Sequence, residues 1–262
     1  MLAQADPRAK ATAARRLRAG DLGPLALGEP RGDLGRPARP ARPELVAPRD
    51  VRRRRITSGS SGRIALLHAI AHIELNAIDL AADLLARFTT PDTPQEFVAD
   101  WLQVLDEEGK HFLLLADRLA DLDAAYGDLP AHDGLWEAAE ATAGDLLVRL
   151  AVVPLVLEAR GLDVTPDMIA RLEAVGDSES AAILQVIYRE EIGHVAIGRC
   201  WFAWAARAQG LDPWQVWPSL VRRHFKGALK PPFNHAGRAA AGLPREGYEA
   251  LALARSPTRD VS

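Results

Sequence analysis

The sequence predicts an all-α fold: four long helices forming a bundle, an extra C-terminal helix, and an irregular Pro/Arg-rich N-terminal arm. Three observations carry this expectation. Apolar residues recur at helical spacing over four long stretches; start and stop residues bound those stretches; and no segment shows the apolar–polar alternation of a strand. With 262 residues, 48% of them hydrophobic, the chain can build one large core.

Taken in order, residues 1–59 are expected to form a basic arm, because Leu22–Pro48 is rich in Gly and Pro, which break helices and favour turns. The bundle domain is expected over residues 60–243. Ser60 or Ser61 caps a first helix ending before "TTPDTP", and Thr93, Pro94 and Glu96 offer a capping box for a second that stops near Gly127. A third spans roughly residues 133–160, kinked at Pro154 and closed by Gly161, and "LDVTPDMIARLEAVG" then reads as a connector with a short helix. A fourth long helix runs from about Ser178 to Gly210, and Asp212 and Pro213 start the extra helix. "LKPPFNHAGRAAAGLPREG" reads as having little regular structure, with residues 244–262 as a tail.

Charge is unevenly distributed. Residues 1–62 carry thirteen Arg and one Lys against six acids, a balance of +8 that leaves −11 for the other 200 within the net −3. A basic arm of this kind usually wraps its own acidic domain; the alternative is RNA contact through Arg52–Arg55. The single Cys200 excludes an internal disulfide and a Cys-based zinc site. No apolar run approaches the roughly 20 residues that span a bilayer, and the first residues lack the apolar core of a secretory signal. A cytoplasmic protein without a membrane partner is expected.

Two pentapeptides carry the chemistry: "EEGKH" at Glu107–His111 and "EEIGH" at Glu190–His194. Residues three apart share a helix face, so Glu108 points with His111 and Glu191 with His194. The four-apart pairs Glu107–His111 and Glu190–His194 also share a face; the three-residue template selects Glu108 and Glu191. A two-metal carboxylate site needs two such pairs and one Glu from each of two further helices. Glu74, in "AHIELNAIDLA", and Glu158, in "VPLVLEARG", stand in apolar surroundings and supply them.

The spacing repeats. Glu74 to Glu108 is 34 residues and Glu158 to Glu191 is 33, as if two half-sites followed each other in tandem. Both Glu74 and Glu108 lie 14 residues from their end of the first connection, at Phe88 and Pro94, and so fall at one level. Buried carboxylates need a counter-charge, and this oxygen and nitrogen donor set suits iron or manganese. His68 and His72 point away from Glu74 and are expected to pack or hydrogen-bond rather than ligate. Tyr188, one turn before Glu191, is core or a neighbour of the metals.

The segments "HAIAHIELNAIDLA", "DWLQVLDEEGKHF", "YGDLPAHDGLWEAA", "LEARGLDVTPDMI" and "EEIGHVAIG" resemble a ferritin-like family of largely uncharacterised, mainly bacterial proteins. With "RPARPELVAP" and "PPFNHAGRAAAG" as its flanks, the resemblance covers roughly residues 20–243. It implies a ferritin-like bundle holding two iron ions at Glu74, Glu108, His111, Glu158, Glu191 and His194. The wider superfamily is similar to ferritins, rubrerythrins, di-iron monooxygenases and a tRNA hydroxylase.

The expected function is that of a di-iron oxidoreductase that uses O₂ to hydroxylate or oxidise an unidentified small molecule. Two alternatives stand beside it: a ferroxidase or peroxide-handling protein with no organic substrate, and an RNA-associated protein.

Overall fold

The computed structural model describes residues 1–18, 34–51 and 59–253. Arg52–Arg55, where the sequence places RNA contact, lie outside the described residues. Among the described residues the regular structure is helical, with one isolated bridge between Leu45 and Ala131 and no strand. The chain is all-α. It divides into two compact units, Met1–Ala139 with Asp167–Ile187, and Glu140–Pro166 with Tyr188–Ser262.

The first unit is built on α1 (Pro7–Arg18), α2 (Ser60–Phe88) and α3 (Gln95–Asp121). α2 is apolar nearly all round and buried from Leu66 to Leu84 apart from Ile73, the pattern of a core helix. By length and composition it would also cross a membrane, contrary to the sequence expectation, but most of it lies inside the protein. α3 runs back along α2 after the short connection Thr89–Pro94, burying Phe97, Trp101, Leu105, Phe112 and Leu119. Two expected caps do not form. Gly59 takes the N-cap of α2 in place of a serine, and Pro94 takes that of α3 with no side-chain bond. The Thr93 hydroxyl accepts from the backbone N–H of Thr90 (2.8 Å) and is committed to the turn. α3 also stops at Asp121, short of Gly127.

α1 departs most from the irregular arm the sequence suggests. It packs on α3 at Gly109, where a Cβ would lie 2.7 Å from the Ala11 carbonyl oxygen. Its Lys10 is 1% exposed and reaches Asp79 on α2, itself fully buried, at 2.6 Å. Arg39 meets the same carboxylate at 3.0 Å. Arg8 pairs with Asp117 and Arg18 with Asp106. The backbone of residues 44–46 exchanges hydrogen bonds with Ala131. The described part of the basic N-terminal segment therefore lies against acidic groups of its own unit, so that each buried charge meets a counter-charge.

His68 and His72 hydrogen-bond as expected. His68 Nε2 accepts from the Gly127 N–H (2.9 Å). His72 lies between the Tyr126 hydroxyl (2.8 Å) and the His132 carbonyl (3.0 Å), which suits a neutral ring that donates once and accepts once. Burial, with Arg39 nearby, lowers its pKa to about 4. Above the unfolded value of about 6.5 both states are neutral; between about 6.5 and 4 only the unfolded chain takes the proton, so stability is lost as pH falls through that window. The loss is at most about 3 kcal/mol. His72→Gln should lack this loss, so the stability gap between parent and variant, measured by urea unfolding, should shrink from about pH 7 to about pH 4.5. A constant gap would contradict the assignment.

The second unit contains α5 (Leu146–Val152), a π-helical segment (Val153–Glu158), the start of α6 (Ala159–Ala174), most of α7 (Ser178–Ala208), and α8 (Pro213–His224), α9 (His235–Ala240) and α10 (Arg245–Leu253). The expected single helix over residues 133–160 is divided. α4 (Gly134–Ala141) ends before Asp145, which caps α5 by accepting from the N–H groups of Leu147 and Val148. Gly161 does not end the next helix, since α6 runs through it and through Pro166. A helical glycine costs only about 1 kcal/mol. Here Asp163 outweighs that cost by accepting from the Asn234 N–H (3.0 Å) and the Arg238 guanidinium (2.8 Å). The expected tail also forms helices. Arg238, 1% exposed, pairs with Asp163 and lies over the rings of Phe233 and Tyr248, at 4.9 and 4.6 Å. α8 starts where expected, capped by Asp212, and Trp217 is buried with its indole N–H donating to the Ala151 carbonyl.

Candidate metal centre

In the first unit α2 supplies Glu74, and α3 supplies Glu108 and His111 one turn apart. All three are buried, at 3%, 0% and 0% exposure. His111 Nδ1 lies 3.3 Å from Glu74 Oε2 and 3.5 Å from Glu108 Oε2. One ligand atom of each lies within 4.8 Å of the others, so the equal depth of Glu74 and Glu108 read from the sequence matches what the hairpin produces. Glu107 faces elsewhere, accepting from Gln103 Nε2 (3.1 Å) with Arg18 at 3.7 Å.

Burial, then the neighbouring Glu108, pushes the Glu74 carboxyl well above the usual carboxylate range. Glu74 Oε2 is buried, with the His111 ring beside it at 3.3 Å. A carboxylate oxygen buried this way is costly in an apolar core, and a cation removes the cost. Two carboxylates and an imidazole converging in a dry place therefore fit a metal ion by their chemistry.

The second unit repeats the motif. His194 is fully buried on α7, with Nδ1 at 3.6 Å from Glu191 Oε1; the Glu191 side chain is 12% exposed. Glu158 ends the π-helical segment, half-buried, with its Oε2 atom inaccessible to solvent. Tyr188 lies one turn before Glu191, its hydroxyl accepting from Asn234 Nδ2 (2.8 Å). Gly237 leaves room for that hydroxyl, since a Cβ there would lie 2.7 Å from it.

A glycine within about one turn of each histidine is a signal that sequence reasoning passed over. Gly109 lies between Glu108 and His111 and admits α1. Gly198, one turn after His194, admits the Pro154 ring, and a Cβ on it would stand 2.2 Å from Pro154 Cβ. π-helical turns often sit at functional positions, and here that contact fixes the segment carrying Glu158. Gly198→Ala should therefore destabilise by about 1–3 kcal/mol and reduce metal uptake. Adding Pro154→Gly, which removes the clashing ring, should recover part of both, with a coupling of about 1 kcal/mol or more in a double-mutant cycle. Additive effects in melting and metal titration would dissociate Gly198 from Glu158.

Fold and site thus define an all-α protein with a buried Glu/His cluster that could hold a metal ion. The chain belongs to the family described as protein of unknown function DUF455, whose model matches residues 3–249 and so takes in α1. It is also similar to an uncharacterized protein of Haemophilus influenzae, 43% identical over 209 residues, covering 78% of this chain and 72% of that one. No solved structure matches the chain at a comparable level.

Proposed function

We propose that this protein is a non-haem di-iron oxidoreductase of ferritin-like architecture, in which Glu74, Glu108 and His111 of the first unit and Glu158, Glu191 and His194 of the second are the metal ligands. The observation that carries the reading is the buried Glu74–Glu108–His111 cluster. The second Glu-x-x-His pair at Glu191 and His194, and the near-equal 34- and 33-residue offsets, support extending it to two metals.

Bound iron would supply the redox chemistry by which O₂ is reduced, which side chains alone do not provide. The chain's own part is to hold the ligands rigidly and exclude water. Two helices fix Glu74, Glu108 and His111 in a dry core, so no ligand has to be ordered when the metal arrives. Raising the Glu74 pKa keeps its proton until a cation displaces it, which links metal uptake to proton release. Hydroxylation balances as substrate C–H, O₂, two electrons and two protons giving C–OH and water, so the electrons must come from outside.

Anaerobic loading of metal-free protein should take up about two Fe(II) per chain, and one addition of O₂ should give a coupled di-ferric optical and Mössbauer signature. Uptake well below two would defeat the reading. Repeated rounds of Fe(II) oxidation with release of ferric iron would favour a ferroxidase.

A further inference from the structure

The proposed reaction consumes two electrons per O₂, and once the two irons have given them up the chain must be reduced again before the next turnover. Its single cysteine cannot ligate an iron–sulfur cluster, which takes four protein ligands. A separate carrier must therefore dock. The second unit has a surface with suitable charge. From Pro213 to Arg245 the sequence contains six Lys and Arg and no Asp or Glu, although the whole chain is net −3.

Among these cations Arg238 is buried on Asp163 and Arg245 pairs with Glu249. Arg222, Arg223, Lys226 and Lys230 are exposed. The helix dipole of α8 explains a preference for Arg222 and Arg223 in its last turn, but Lys226 and Lys230 lie beyond the helix. The surface is also tied to the metal-site helix: Arg160, two residues after Glu158, donates to the carbonyls of Lys230 (2.7 Å) and Pro232 (3.3 Å).

We infer that this basic surface is the docking site of an acidic one-electron carrier protein of the iron–sulfur or flavin class, and this inference rests on the di-iron reading. Complementary charge raises encounter rates and sets orientation more than it adds affinity, as a transient electron-transfer contact needs. Two other polyanions fit less well. None of the segment's aromatic residues, Trp214, Trp217, Phe225 and Phe233, is exposed to stack on nucleic-acid bases, and Leu229 is buried rather than presented to a bilayer.

The test uses the full chain, with a reduced acidic [2Fe–2S] ferredoxin as probe. In stopped flow, its oxidation by the iron-loaded protein should slow about tenfold or more between low and high salt. The triple variant Arg222→Glu/Arg223→Glu/Lys230→Glu should be that slow already at low salt. Its iron content and reduction by dithionite should match the parent. Calorimetric titration of metal-free protein with oxidised ferredoxin reads docking independently of iron, and the triple variant should abolish the heat. A chain that binds no iron would defeat the di-iron reading through metal analysis, while this titration still decides the docking. Ferredoxin association indifferent to salt or to the triple substitution overturns the inference. So does tighter binding, through the same three residues, of a single-stranded RNA oligonucleotide or an anionic vesicle.

Discussion

Glu74→Gln should weaken metal uptake by more than about a hundredfold, since residues that merely orient a ligand are worth about 10–100-fold, and yet leave the metal-free protein more stable than the parent. The two effects share one cause. Burial, then Glu108, holds the Glu74 carboxyl protonated in the folded state to a pH well above its usual value. In the unfolded chain it ionises near pH 4.3. Between those two values the folded state binds the extra proton, so the associated stability is full below about pH 4.3 and is lost as pH rises through the raised folded pKa. Glutamine cannot ionise and keeps that stability at neutral pH. Added Fe(II) should reverse the order, stabilising the parent far more than the variant. Melting curves at about pH 5 and about pH 8, with and without Fe(II), check all of this. A metal-free variant less stable than its parent would mean that the carboxylate is already compensated, and would remove the physical reason for a cation.

That cluster was readable because its signal is local. A glutamate and a histidine three residues apart face one way on any helix, and Glu74 owes its depth to a hairpin whose arms can be counted from Phe88 and Pro94. What the sequence hid depends on contacts between distant residues. Residues 7–18 read as part of a basic arm because Ala and Arg dominate them, and only the approach at Gly109 and the carboxylate of Asp79 show why they form a helix. Gly161 and Pro166 read as breakers, yet α6 passes through both because Asp163 is fastened to Asn234 and Arg238, some 70 residues away in sequence. The π-helical segment before Glu158 was equally hidden, since its determinant is a proline ring seated on a glycine of another helix. Single-residue propensities of about 1 kcal/mol are small enough for one such buried contact to override.

The same logic makes Asp79 the most sensitive single position for the stability of the first unit. One carboxylate, fully buried on α2, receives Lys10 of α1 at 2.6 Å and Arg39 at 3.0 Å, and Lys10 also donates to the Ala38 carbonyl. Burial lowers the Lys10 pKa and raises that of Asp79, so each ion is held against a desolvation cost that its partners offset. Removing the shared acceptor strands two cations, whereas removing Lys10 leaves Asp79 its contact with Arg39. Asp79→Ala should therefore cost about 3–5 kcal/mol, and Lys10→Met distinctly less. The double variant Lys10→Met/Asp79→Leu, which removes the Lys10–Asp79 pair and leaves Arg39 with its bond to Asn76, should regain part of the loss, because replacing a buried pair by well-packed apolar side chains is often neutral or better. Urea unfolding gives the three values, and limited proteolysis shows whether α1 is released. The ranking is the decisive result: if Lys10→Met cost as much as Asp79→Ala, α1 would be held by that one pair alone, and the shared-acceptor account of the N-terminal segment would be wrong.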